Sequence, residues 1–249
     1  MVDVSVDAGE SFGPWRMGRD EELFEHVTSA NLACGFHAGD PATIRKTAAL
    51  ARRHGVQVGA HPGLRDLLGF GRREMAVTPE EIYADVLYQL GALAAVVRAE
   101  GLPLGHISPH GALGWMTWRD GDVARAVVGA ARDFDSALAV VALPGTELAK
   151  AAQEVGLRTV FMGFPERGYG RDGRLAPRGS TGAVIIDPEE AAARAVTMVT
   201  GGGVRSVEGE WLALRAGTLL IHGDNPLAPE IARTVRQALE VAGIAVRGF

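Results

Sequence analysis

The chain has 249 residues, 47% of them hydrophobic and 22% charged, a composition that builds one large core and excludes a disordered or fibrous polymer. A formal net charge of -5 and a pI near 5.8, with no basic stripe, exclude a general nucleic-acid binder. The single cysteine, Cys34, excludes a disulfide framework and is compatible with a reducing compartment.

The first residues, MVDVSVDAGES, lack the basic start and apolar centre of a signal peptide. No run approaches the roughly 20 apolar residues of a membrane helix. A cytoplasmic protein without membrane contact is therefore expected. Val2 to Val6 reads as the first strand and Ser29 to Phe36 as the second, followed by a helix from Asp40 to His54. Val56 to Ala60 is the third strand. Pro79 to Glu100 is the clearest helix: Ile82, Val86, Leu90, Leu93 and Val97 recur every three to four residues, behind a Thr78 cap, Pro79 and two glutamates. Strands at His106 to Ser108, Ala137 to Leu143 and Thr159 to Gly163 alternate with helices at Asp120 to Asp133, Thr146 to Val155 and Pro188 to Thr200. Val204 to Leu214 reads as a hairpin turning at Glu208-Gly209, before a last strand, Thr218 to Ile221, and a helix from Pro226 to Ala242. Apolar strands alternating with helices imply a parallel sheet buried on both sides. Seven such units predict one β/α-barrel domain over residues 1–249, with a doubly wound open sheet as the alternative.

In a parallel barrel the loops after the strand C-termini build the active site. Polar residues fall there systematically: Asp7 and Glu10 after strand one, His37 and Asp40 after strand two, His61 after strand three and His110 after strand four. Glu166 and Arg167 follow strand six, and His222 and Asp224 follow strand seven. His26, His54 and His106 read as lying away from this rim. One such histidine alone would be an ordinary hydrogen-bonded residue. Four in Gly- or Pro-punctuated loops ("CGFHAGDP", "GAHPG", "SPHGAL", "IHGDNP") describe a pre-organised polar site. Carboxylates and neutral imidazoles suit acid-base work near pH 7. Asp7, His37 and His61 also form a carboxylate-plus-two-histidine set suited to a divalent metal, although no HxxxH or HExxH spacing marks it. No GxxxxGK[ST] is present. "GFGRRE" offers Arg72 and Arg73 to a phosphate or carboxylate, or simply to solvent. Cys34 reads as a small buried hydrophobe, and Trp115 and Trp118 either wall a pocket or cap the barrel.

"DAGESFGPWRMG", "SANLACGFHAGDPATIRKT", "GAHPGLRDLLGFGRREM", "LYQLGALAA", "PHGAL" and "HGDNP" resemble, in order, the motifs of the LamB/YcsF family, the A subunits of prokaryotic ATP-dependent 5-oxoprolinases. The resemblance implies a seven-stranded barrel similar to glycoside hydrolase/deacetylase barrels. It implies conversion of 5-oxo-L-proline, with ATP as co-substrate and water, to L-glutamate, ADP and phosphate, in company with the B and C subunits. It places Asp7, Glu10, His37, His61 and His110 as catalytic residues, and Asp40, Arg72, Glu166, Arg167, His222 and Asp224 around the substrate. Asp40 would orient His37 or cap the helix behind it. Three motifs depart from the family: Ser5 and Val6 replace asparagine and cysteine, Ser108 and Gly114 replace lysine and tyrosine, and Glu166 replaces aspartate. Clustered in the pocket, these changes point to a diverged relative with an altered substrate or reduced activity, at the limit a non-catalytic binding subunit; a metal-dependent amidohydrolase or deacetylase acting alone in the same barrel is a separate alternative.

Overall fold

The computed structural model describes residues 1–249. Parallel strands β1 (Asp3–Ala8), β2 (Ser29–Ala33), β3 (Gln57–His61), β4 (Leu104–Ile107), β5 (Ala139–Ala142) and β6 (Thr159–Gly163) pair in chain order. An antiparallel hairpin, β7 (Gly203–Arg205) with β8 (Trp211–Ala213), stands apart. Strand β9 (Thr218–Ile221) pairs with both β6 and β1 and closes the barrel. The seven strands and the hairpin are those expected, and closure excludes the open sheet.

Around the barrel lie α1 (Asp20–Leu23), α2 (Pro41–His54), α3 (Pro79–Ala99), α4 (Gly111–Arg119), α5 (Gly121–Phe134), α6 (Glu147–Glu154), α7 (Pro188–Thr200) and α8 (Ala228–Val241). Two of these, α1 and α4, are not apparent in the sequence. The first is a single turn, and α4 carries glycines at 111 and 114 with no clear 3.6-residue period. Helix α3 begins as expected, with a complete capping box between Thr78 and Glu81. It has 21 residues and an 18-residue stretch of mean hydropathy 1.3, long and apolar enough to cross a membrane by length and composition. That qualifies the expectation that no segment approaches this limit. Its stripe of Ile82, Val86, Leu90, Leu93 and Val97 is buried in the protein core.

The strands are buried on both sides as expected, but the face turned into the barrel is polar. Along β1, Val4, Val6 and Ala8 join the hydrophobic core, while the alternate residues Asp3, Ser5 and Asp7 hydrogen-bond across the interior. Ser29 and Thr218 donate to Asp3, and Ser5 shares a 2.7 Å bond with Thr218. Two departures from the family motifs are thereby relocated: Ser5 sits in this lower layer and Val6 in the core, so neither belongs to the pocket. Ser108 and Gly114 do line it.

Candidate active site

The strand after which His37 falls ends early, at Ala33, and the following loop folds tightly onto the end of β1. Gly39 has φ +81°, and a Cβ there would lie 2.9 Å from the carbonyl oxygen of Gly9. Only glycine makes that approach. The loop thereby seals His37 completely from solvent. Asp40 caps α2: its carboxylate accepts from the N–H groups of Ala42 (2.9 Å), Thr43 (3.0 Å) and Gly13 (2.8 Å) and from the Thr43 hydroxyl. The Thr43 and Gly13 N–H groups lead in holding its pKa down at about 2. Of the two roles expected for Asp40, the structure gives the cap. It does not orient His37, whose two ring nitrogens have no hydrogen-bond partner.

Four side chains meet at the C-terminal mouth. Donor atoms of Glu10, His37, His61 and His110 all lie within 4.8 Å of one another, and all four residues are buried. His37 Nε2 is 3.4 Å from Glu10 Oε1, His110 Nδ1 is 3.7 Å from the same oxygen, and the His37 and His110 rings stack at 3.8 Å. Backbone carbonyls set two of the tautomers. His61 Nδ1 faces the Ser108 carbonyl at 2.6 Å and His110 Nε2 faces the Phe70 carbonyl at 2.7 Å. Carbonyls only accept, so those nitrogens carry the hydrogens. In the neutral rings, His61 Nε2 and His110 Nδ1, 3.0 Å apart, therefore aim lone pairs at each other. Phe70 takes a positive φ of 54°, the one non-glycine residue to do so, and this strained turn presents its carbonyl to His110.

Burial, reinforced by the neighbouring histidines, holds the pKa of His37 and of His110 well below the ordinary value. Burial also lowers His61, although Asp7, 3.4 Å from its Nε2, opposes the shift. Glu10 moves the other way: burial and then the charge of Asp7 push its carboxyl well above the usual range. Glu10 Oε1 and both nitrogens of His37 are buried without partners. A buried constellation of orphaned acceptors and opposed lone pairs fits a divalent cation. The fitting donors are Glu10, His37, His61 and His110, rather than the Asp7, His37 and His61 set expected from the sequence.

Asp7 has a different support. Asn31 donates to its Oδ1 at 2.9 Å, and His106 Nε2 donates to the Asn31 oxygen at 2.8 Å. This buried chain puts His106 beneath the site, off the rim as expected but in contact with a residue that supports Asp7. Neither Asn31 nor His106 stands out as a functional candidate in the sequence. Asn31 lies in the "SANLAC" strand, where an amide in an otherwise apolar buried run is the one signal that marks it.

On the far side, Arg72 binds Asp224 at 2.7 Å and lies 4.9 Å over the Phe70 ring. Burial would raise the Asp224 pKa, but Arg72 outweighs it and the net shift is downward. Its neighbour Arg73 binds Asp66 instead, away from this group. Glu166 is buried behind His222, accepting from its Nδ1 at 2.5 Å and its backbone N–H at 3.1 Å, and from Asn225 at 3.0 Å. Those bonds overcome burial and lower the Glu166 pKa. Glu166 is placed to orient His222. Arg167 spends its guanidinium on the carbonyls of Ala183 and Ala176. Cys34 is a buried hydrophobe, its thiol pushed up to about 12 by burial. A cavity of about 60 Å³ joins both sides, lined by Asp7, His61, Arg72, His110, His222 and, at its mouth, Trp115 and Trp118.

The pattern of the LamB/YcsF family matches residues 2–249. The chain belongs to the LamB/YcsF family. A Thermus thermophilus protein named as the A subunit of 5-oxoprolinase is 58% identical over 100% of this chain and 99% of its own length. The crystal structure of a lactam utilization protein from Thermus thermophilus superposes with a TM-score of 0.96 at 56% identity, covering 100% of this chain and 99% of that one. A family 4 carbohydrate esterase from Streptomyces lividans covers 100% of this chain and 91% of its own at a TM-score of 0.50 and 11% identity. That likeness shows that this LamB/YcsF barrel shares its fold with the esterase barrels.

Proposed function

We propose that the chain is the barrel component of an ATP-dependent 5-oxoprolinase that opens 5-oxo-L-proline to L-glutamate in company with B and C subunits. The observation that carries this reading is the buried Glu10, His37, His61 and His110 cluster, of which His61 and His110 line a small cavity together with Asp7, Arg72 and His222. The full-length similarity to a protein named as the A subunit of 5-oxoprolinase supports it.

A five-membered lactam is a poor electrophile because its nitrogen donates into the carbonyl. Transfer of the ATP γ-phosphoryl group to the amide oxygen, with ADP leaving, makes the ring carbon attackable. Water then adds there, giving up a proton to a neutral imidazole that lines the cavity, His61 or His110, with the sealed His37 ring stacked behind His110 at 3.8 Å. The C–N bond breaks as the nitrogen takes a proton, which Glu10, its carboxyl pushed well above the usual range by burial, can supply by way of His110, whose Nδ1 lies 3.7 Å from its Oε1. A second water hydrolyses the resulting acyl phosphate to glutamate and phosphate. Asp7, fixed by Asn31, faces His61, and Arg72 with His222 offers positive charge and hydrogen bonds to the substrate carboxylate.

A second reading, a metal-dependent amidohydrolase working without ATP, draws on the donor set described above. A divalent cation held by Glu10, His37, His61 and His110 would supply Lewis acidity and a more acidic water.

The test is glutamate release from 5-oxoproline by the chain assembled with its B and C partners, with and without ATP, beside elemental analysis of the protein as purified. ATP-dependent release that falls by about 100-fold or more in His37→Ala is expected. Release without ATP that is abolished by a chelator and restored by metal would transfer the assignment to the second reading. No release from an assembled complex would defeat both.

A further inference from the structure

The cavity beside the histidine cluster continues outward. Trp115, Trp118, Arg167 and Arg178 line both the inner chamber and an outer groove of about 360 Å³, which adds Arg119 and Arg174. None of the residues lining that groove is acidic, in a chain whose net charge is -5. Arg119 is neutralised by Glu74 at 2.5 Å, and Arg174 has only a long 3.9 Å contact with Asp172. Arg178 has no ion pair and Arg167 makes its hydrogen bonds to carbonyls, so positive charge is left over around a partly enclosed space. Burial and then the nearby Arg178 lower the Arg167 pKa to about 10, against the opposing charge of Glu166. The aromatic side of the groove is equally unspent: Trp115 is 38% exposed. A flat indole beside surplus arginines is the combination that holds a planar base joined to phosphates.

Volume decides where such a ligand would lie. The inner chamber, at about 60 Å³, has about a sixth of the outer groove's volume and is too small for a nucleotide. The outer groove falls within the range of about 300–1,000 Å³ typical of small-molecule sites.

The geometry points to the Trp115/Arg178 groove as the seat of a nucleoside polyphosphate, its base against Trp115 and Trp118 and its phosphates on Arg178, Arg167 and Arg174. The choice of ATP among such ligands rests on the reading proposed above. The nucleotide then lies outside the histidine cluster, with the inner chamber, whose wall includes Arg72, free for the small cyclic amide.

The experiment is calorimetric titration of the full chain with ATP, inorganic tripolyphosphate and adenosine, on the wild type and on Arg178→Ala, Arg178→Lys, Trp115→Phe and Trp115→Ala. Arg178→Ala is expected to weaken ATP and tripolyphosphate by about tenfold or more, with Arg178→Lys recovering part of the loss. Trp115→Ala is expected to weaken ATP and adenosine by about tenfold while leaving tripolyphosphate unchanged, and Trp115→Phe to keep most of the affinity. Both positions are exposed, so circular dichroism should show unaltered folding. Absence of ATP binding at millimolar concentration, or ATP affinity untouched in Arg178→Ala and Trp115→Ala, would overturn the assignment. Untouched ATP affinity with failed assembly onto the B and C partners would make the groove a protein interface instead. ATP-dependent glutamate release that survives in both variants overturns the groove and leaves the activity. Binding that follows the expected pattern in a complex without release does the reverse.

Discussion

Asn31 governs the geometry of Asp7 from a position the solvent never reaches. Its amide is engaged at both ends, donating to Asp7 and accepting from His106, and all three groups are buried. Replacing it with leucine preserves bulk but strands a buried acceptor and a buried donor, each at a cost of about 1–3 kcal/mol. Asn31→Leu is therefore expected to lower the melting temperature by several degrees and to reduce kcat more than KM, read by calorimetry and by glutamate release. Gly59 serves the same chain: a Cβ there would sit 2.1 Å from the His106 ring, so the strand must carry glycine for the ring to enter the barrel. Beyond the lone amide in an apolar run, none of this is legible from the local sequence. His106 lies in a strand of four residues, too short for the alternation to reveal which face it takes, and its partner Asn31 is 75 residues away along the chain. The histidines in glycine-flanked loops are legible because the loop chemistry itself departs from what a core needs.

At the scale of one element, the segment between β2 and α2 divides two tasks between residues three apart. Asp40 caps the helix, and His37 is left without a hydrogen bond. Asp40→Ala is expected to cost about 1 kcal/mol of stability through the lost cap, measurable by urea unfolding, with little change in turnover. His37→Ala should do the opposite. Because the Asp40 pKa is lowered from 3.8 to about 2, its contribution is complete above pH 3.8 and is lost as pH falls through 2. A helix cap is written in local sequence, so Asp40, Pro41 and the following apolar spacing announce α2 correctly. Helix α4 carries no such announcement. Its Gly114 is held within the helix by close packing on the Pro109 carbonyl, which a Cβ would approach to 2.8 Å, and tertiary packing overrides the poor propensity of glycine.

For the whole molecule, the closed barrel buries the imidazole of β4 and those that follow β2, β3 and β4 close together. Acid sensitivity follows. Burial lowers the His106 pKa from 6.5 to about 3, so between those values the unfolded chain holds the extra proton and the folded chain does not. Stability is complete above pH 6.5 and declines as pH falls towards 3; His37, His61 and His110, also lowered, act with the same sign. Thermal unfolding of metal-free protein should show a melting temperature that drops steadily below pH 6.5. His106→Gln should flatten that slope, and a slope identical to wild type would refute the assignment. Strand and helix alternation, the caps and the presence of polar residues after successive strands were determined by the sequence itself, because each is a local matter of periodicity, backbone preference and loop composition. Barrel closure, the exchange of Asp7 for Glu10 and His110 in the set of side chains that could hold a cation, the retreat of Asp40 to a cap and of Glu166 behind His222, and the shape of the Arg178 groove were decided only by the tertiary structure. The reason is that strand register and ring closure set which side chains share a space, and those distances are not encoded by any single segment.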